Sequence, residues 1–194
     1  MAQRIVIIQG HPDPAGGHLC NALADAYRTG AESAGREVRT LDVAQLEFPL
    51  IRSKEQFEHG EPPAVIKEAQ DAIHASRHLL IVYPLWLGTM PALLKAFFEQ
   101  VFRYDFAFEP QANGQFKSRL KGRSARVVVT MGMPALAYRW YFRAHSLKSL
   151  ERNVLKFAGI TPVQESLFGM VDQASDERRQ RWLAQMQQLG AAGR

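Results

Sequence analysis

The sequence predicts an α/β protein built on a doubly wound, five-stranded parallel sheet of strand order 2-1-3-4-5. Two observations lead there. Short runs rich in Ile, Val and Leu recur five times along the 194 residues and alternate with stretches of helical periodicity. Strands that alternate with helices form parallel sheets wrapped on both faces. The first run is also apolar almost throughout, as a strand buried on both faces requires. Right-handed crossovers then leave few ways to order the strands.

The first strand is expected at Arg4–Gln9, followed by a Gly/Pro/Asp turn over residues 10–17. Leu19, Ala22, Leu23, Ala26 and Tyr27 recur at helical spacing, so residues 18–33 form a helix packed on the sheet. Gly35 punctuates it, and the second strand covers 37–41. Residues 42–63 lack periodicity and read as a loop. Pro63 suits the first turn of a helix reaching His74. The third strand, 78–83, stops at Pro84. An apolar helix follows at 91–102, then an irregular excursion at 103–119 that suggests a hairpin. The fourth strand is placed at 126–130, helix within 137–158, the fifth strand at 161–168 and an amphipathic helix at 176–189. No repeat or boundary divides the chain, so one domain is expected over residues 1–194.

Composition narrows the function. The chain has one cysteine, Cys20, which excludes an intramolecular disulfide and any cysteine-based metal or iron–sulfur site. No metal site is expected. The run Ile5-Val6-Ile7-Ile8 is too short for a secretory core, and no apolar run is long enough to span a bilayer. A cytoplasmic location without membrane insertion is the expectation. The net charge of +5 favours anionic partners such as phosphorylated cofactors. No nucleic-acid-reading motif accompanies the charges, so nucleic acid is not an expected partner. Lys117, Arg119, Lys121, Arg123 and Arg126 read as a solvated hairpin edge. Arg139, Arg143, Lys148 and Arg152 read either as a solvated basic face or as attraction for a nicotinamide 2′-phosphate.

In this architecture the loops after the first, third and fourth strands converge on one crevice. The first, Gly10-His11-Pro12-Asp13-Pro14-Ala15-Gly16-Gly17-His18, runs into a helix. Inward-turned backbone N–H groups and the helix N-terminus suit a phosphate. It holds neither a GxGxxG nor a GxxxxGK[ST] pattern, so a Rossmann dinucleotide site and a P-loop are not supported. The second, from Tyr83 to Ala92, brackets Trp86 and Leu87 between prolines and could pack on a flat ring. The third, Thr130-Met131-Gly132-Met133-Pro134, precedes Tyr138. Ordinary strand-to-helix turns are the competing explanation for the first and third loops, and a core tryptophan for the second. Cys20 falls in the first turn of a helix, where a thiolate would be favoured, or serves as a small packing residue.

The G-H-P-x-P start and the run from Pro84 to Phe102, P-L-W-L-G-T-M-P-A-L-L-K-A-F-F-E-Q-V-F, resemble the flavodoxin-like NAD(P)H:quinone oxidoreductase family. The likeness extends from the first strand to about Val163. It implies a flavodoxin-like fold, a flavin (FMN, with FAD the alternative), and NADPH or NADH as co-substrate. By position, it implies that His11, Gly17, His18 and Leu19 hold the phosphate. Pro84, Leu85, Trp86, Leu87 and Gly88 would line the ring edge, with Thr130, Met131, Gly132 and Met133 closing the other side. Tyr138 would contact an acceptor oxygen, and His145 is a candidate proton donor. The family is usually dimeric with the site at the interface. The chain departs from the pattern at Ala15-Gly16-Gly17, where a hydroxyl is usual, and at Leu87, where tryptophan is common. The implied activity is ping-pong reduction of quinones or related acceptors. A flavin-bearing ancillary subunit of a membrane transporter and a flavodoxin-like electron carrier are the alternatives.

Overall fold

The computed structural model describes residues 3–194. The sheet strands are β1 (Arg4–Gln9), β2 (Glu37–Asp42), β3 (His78–Pro84), β6 (Ser124–Met131) and β7 (Val163–Gly169), while β4 (Phe108–Pro110) and β5 (Phe116–Ser118) form a separate antiparallel hairpin. The sheet order is β2-β1-β3-β6-β7, every neighbouring pair parallel. Counted within the sheet this is the expected 2-1-3-4-5.

The pleat divides the core. Val6, Ile8, Leu79, Ile81, Tyr83, Val127 and Val129 face one layer, and Ile5, Ile7, Leu80, Val82 and Val128 face the other. Three helices supply much of the first layer: α3 (Ala64–Ala75), α4 (Ala92–Val101) and α6 (His145–Ser149), with a π-helical turn at Leu150–Lys156. The second layer is α1 (Leu19–Ser33) and α7 (Asp176–Ala192). The short helix α5 (Ala135–Trp140) follows β6 directly.

Two expectations need correction. The stretch 42–63 holds a 3-10 turn at Val43–Gln45 and a one-turn helix, α2 (Lys54–Glu58), whose cap Ser53 accepts the N–H of Gln56 at 3.1 Å. The capping serine, not periodicity, starts this helix. The basic run after the hairpin is also not wholly solvated. Arg123 and Arg126 are buried. Arg123 donates from Nε to the Ile73 carbonyl at 3.1 Å and from Nη2 to the His74 carbonyl, so it satisfies the last carbonyls of α3. Arg126 donates from Nη1 to Ser166 Oγ at 2.9 Å.

Candidate active site: a crevice at the carboxyl end of the sheet

The order reverses between β1 and β3, and a crevice of about 850 Å³ opens there, at the carboxyl ends of the strands. His11, Gly17, His18 and Leu19 line it from the first loop, Pro84, Leu85 and Trp86 from the second, and Thr130, Met131 and Gly132 from the third.

The first loop is internally braced. Gly16 and Gly17 take φ values of 70° and 78°, which lets the chain fold inward. Asp13 accepts the Ala15 N–H at 2.9 Å and holds His18 Nε2 at 2.8 Å. The His11 and His18 rings stack at 3.7 Å, and the Trp86 ring meets His11 edge-on at 6.0 Å. Burial, then the His18 ring, lower the His11 pKa, so His11 is biased toward the neutral form. Its Nδ1 accepts the Asp13 N–H at 3.2 Å, which leaves Nε2 as the free nitrogen. The N–H groups of Gly17, Leu19 and Cys20 meet no protein acceptor among the described residues. Free amides at the start of a 15-residue helix, with His11 Nε2 beside them, form a donor set that fits a phosphate.

The other two loops are tied together. Leu85 donates its N–H to the Thr130 carbonyl at 2.8 Å, and Thr130 Oγ1 lies 3.2 Å from Cys20 Sγ. Cys20 is buried, and burial pushes its thiol up to about 11, so the packing role holds and a thiolate does not. Trp86 and Leu85 give the crevice a wall able to pack on a flat ring, so the chemistry present fits a flavin.

Several expected residues do not line the crevice. Leu87 and Gly88, at φ 47° and 79°, form a two-residue hairpin turn closed by Trp86 N–H to Thr89 O at 2.8 Å and Thr89 N–H to Trp86 O at 3.0 Å. That turn points Leu87 wholly into solvent. Met133 is half-buried against the core. The Tyr138 ring is buried, its hydroxyl 2.7 Å from Ser146 Oγ and accepting the Leu147 N–H at 3.2 Å, so it ties α5 to α6 within the core. His145 is exposed at the start of α6 and also lies off the crevice.

A fourth wall was not anticipated. Val171, Asp172, Asp176, Arg179, Gln180 and Leu183 line the crevice from the segment after β7 and the first turns of α7. Asp172 comes so close to Gly132 that a Cβ there would lie 3.1 Å from its carboxylate. The sequence carries a signal for this wall. Ser175, followed by Asp176 and Glu177, marks a helix start, and Ser175 Oγ accepts the Arg178 N–H at 3.3 Å. A helix starting just after the last parallel strand begins at the same edge as the other three loops.

Sheet order and crevice together define a doubly wound α/β protein whose ligand cleft lies outside the strand ends. The chain belongs to the family described as having the flavodoxin-like fold, whose model matches residues 3–189. It is 27% identical over 178 residues to an uncharacterized NAD(P)H oxidoreductase of Haemophilus influenzae, covering 90% of this chain and 87% of the relative. Among solved structures it resembles an NAD(P)H:quinone oxidoreductase from Methanothermobacter marburgensis, with TM-score 0.82, 22% identity and coverage of 98% and 96%. It also resembles an FMN-dependent NADH-azoreductase from Bacillus anthracis, in complex with FMN, with TM-score 0.75, 17% identity and 98% of each chain covered. At these identities the two structures bear on the fold.

Proposed function

We propose that the chain is a flavin-dependent NAD(P)H oxidoreductase that reduces quinones or related acceptors. The observation that carries this reading is one crevice lined both by phosphate donors and by a flat apolar wall. The activity named for the Haemophilus relative and the FMN-dependence of the Bacillus structure support the same reading. FMN is the proposed flavin, with FAD the alternative, and NADPH or NADH the electron donor.

When bound, the flavin supplies the hydride chemistry. The protein binds, orients and shields it. His11, Gly17, His18 and Leu19 hold the phosphate, and Pro84–Trp86 with Thr130–Gly132 orient the ring. Nicotinamide nucleotide and acceptor use the open side of the crevice in turn, which gives ping-pong kinetics. The working unit is a homodimer in the cytoplasm. Adjacent exposed Trp86 and Leu87 at the rim support a second subunit covering that side.

The test is a visible absorption spectrum of the purified protein after mixing with FMN and desalting, repeated without oxygen after adding NADPH or NADH. Retained flavin bands that bleach are expected. Retained flavin inert to both nucleotides would instead favour a carrier or ancillary role, and no retained flavin would end the proposal.

A further inference from the structure

We propose that Asp13 is the positioning residue of the phosphate end: it holds the first loop so that His11 presents Nε2–H, and the amides of Gly17, Leu19 and Cys20 stay free, for the flavin phosphate. This deepens the oxidoreductase reading and rests on it. Asp13 bonds both backward and forward along the loop. Its N–H donates to His11 Nδ1 at 3.2 Å, and its carboxylate accepts the Ala15 N–H at 2.9 Å and holds His18 Nε2 at 2.8 Å. Its carbonyl accepts the Gly16 N–H at 3.4 Å.

Each bond has a consequence for a phosphate. The first sets a tautomer. With the Nδ1 lone pair taken by an N–H, neutral His11 carries its hydrogen on Nε2 and donates from there. Gln9 Oε1 fixes the same residue from the end of β1 by accepting the His11 N–H at 3.2 Å. The bonds to Ala15 and Gly16 use up amides that precede the helix, and the His18 N–H goes to Asn21 Oδ1 at 3.2 Å. The amides left over at the start of α1 are those of Gly17, Leu19 and Cys20. The bond to His18 fixes a ring that stacks on His11 at 3.7 Å, so the same carboxylate holds the plane of His11 through its neighbour.

Charge alone argues against a carboxylate here. The Ala15 N–H, then the His18 ring, hold the Asp13 carboxyl below its usual range, so it is ionised at neutral pH and repels a phosphate. Residues 10–18 contain no Ser, Thr or Tyr, so the donors on offer are backbone amides and imidazole. Donors already held in place cost less ordering when the ligand arrives, and that gain opposes the repulsion. Positioning and repulsion therefore predict opposite signs when the carboxylate is removed.

The test compares Asp13→Ala and Asp13→Asn in the full-length protein. Both remove the charge, and only Asn can still accept the Ala15 N–H and bond the His18 ring. The FMN dissociation constant should rise about tenfold in Asp13→Ala and stay within about threefold of the parent in Asp13→Asn, with riboflavin binding unchanged in both. Histidine 15N spectra of the flavin-free protein give a second readout, the His11 signal being identified by its loss in His11→Gln. The Nε2–H tautomer alone is expected in the parent and in Asp13→Asn, and both tautomers in Asp13→Ala. Thermal melts check that the variants fold. Tighter FMN binding in either variant would assign Asp13 repulsion only and overturn the proposal. Unchanged FMN binding in Asp13→Ala, a parallel loss of riboflavin, or an Nδ1–H tautomer in the parent would overturn it too. Each of these results leaves the oxidoreductase reading standing, whereas a parent that retains no FMN would overturn both.

Discussion

Gly30 and Gly190 mark the two points where the backbones of α1 and α7 touch. A Cβ at Gly30 would lie 1.9 Å from the Gln187 carbonyl oxygen, and one at Gly190 would lie 2.0 Å from that of Tyr27. In an open helix Gly→Ala gains about 1 kcal/mol. Here the steric term wins, because the obstacle is backbone. Gly30→Ala or Gly190→Ala should each destabilise by about 3 kcal/mol, read by urea unfolding. The double variant should lose less than the sum, because one forced separation of the helices relieves both clashes.

His78 makes stability depend on pH. Its ring is buried beside Tyr27, with Nδ1 2.8 Å from Ser124 Oγ. Burial, then the charge of Arg126, pull its pKa from 6.5 down to about 4. Between those values the unfolded chain takes up a proton that the folded chain refuses, so stability falls as the pH drops from 6.5 to 4. The full loss is about 3 kcal/mol. His78→Asn should flatten this part of the melting-temperature profile. An equally steep profile in the variant would assign the effect to other groups.

His18 offers a test of the phosphate end. Its ring is fixed by Asp13 and stacked on His11. His18→Ala should weaken FMN binding about tenfold, because the phosphate loop loses the ring that Asp13 holds and His11 stacks on. Riboflavin, which lacks the phosphate, should bind parent and variant alike. Equal losses for both ligands would place His18 away from the phosphate.

Tyr138→Phe should lower stability by about 1–2 kcal/mol, because the buried Leu147 N–H loses its acceptor. A variant with unchanged melting temperature and reduced turnover would return the hydroxyl to the acceptor.

The fold was legible because its signals are local. Five apolar runs, prolines at the starts of α3 and α4, and glycines in the first loop each act through the nearest few residues. Ten of the thirteen residues assigned to the cofactor line the crevice for the same reason. In parallel sheets every strand ends at the same edge, so a loop's place in the chain already gives its place at the site. Leu87, assigned to the ring edge, stands off the crevice because turn geometry, not loop membership, aims a side chain. Nothing local in Tyr138 shows that its hydroxyl is used up by Ser146 and Leu147.

By itself, then, the sequence determined the layer architecture, the strand order and the three loops that meet at the crevice. Only the tertiary structure decided the fourth wall from α7, the burial of Arg123 and Arg126, and the Cys20–Thr130 contact across 110 positions. Periodicity and turn chemistry are properties of neighbours along the chain. A side chain's burial and its hydrogen-bond partner depend on which distant segment packs against it, and that is settled only when the layers close.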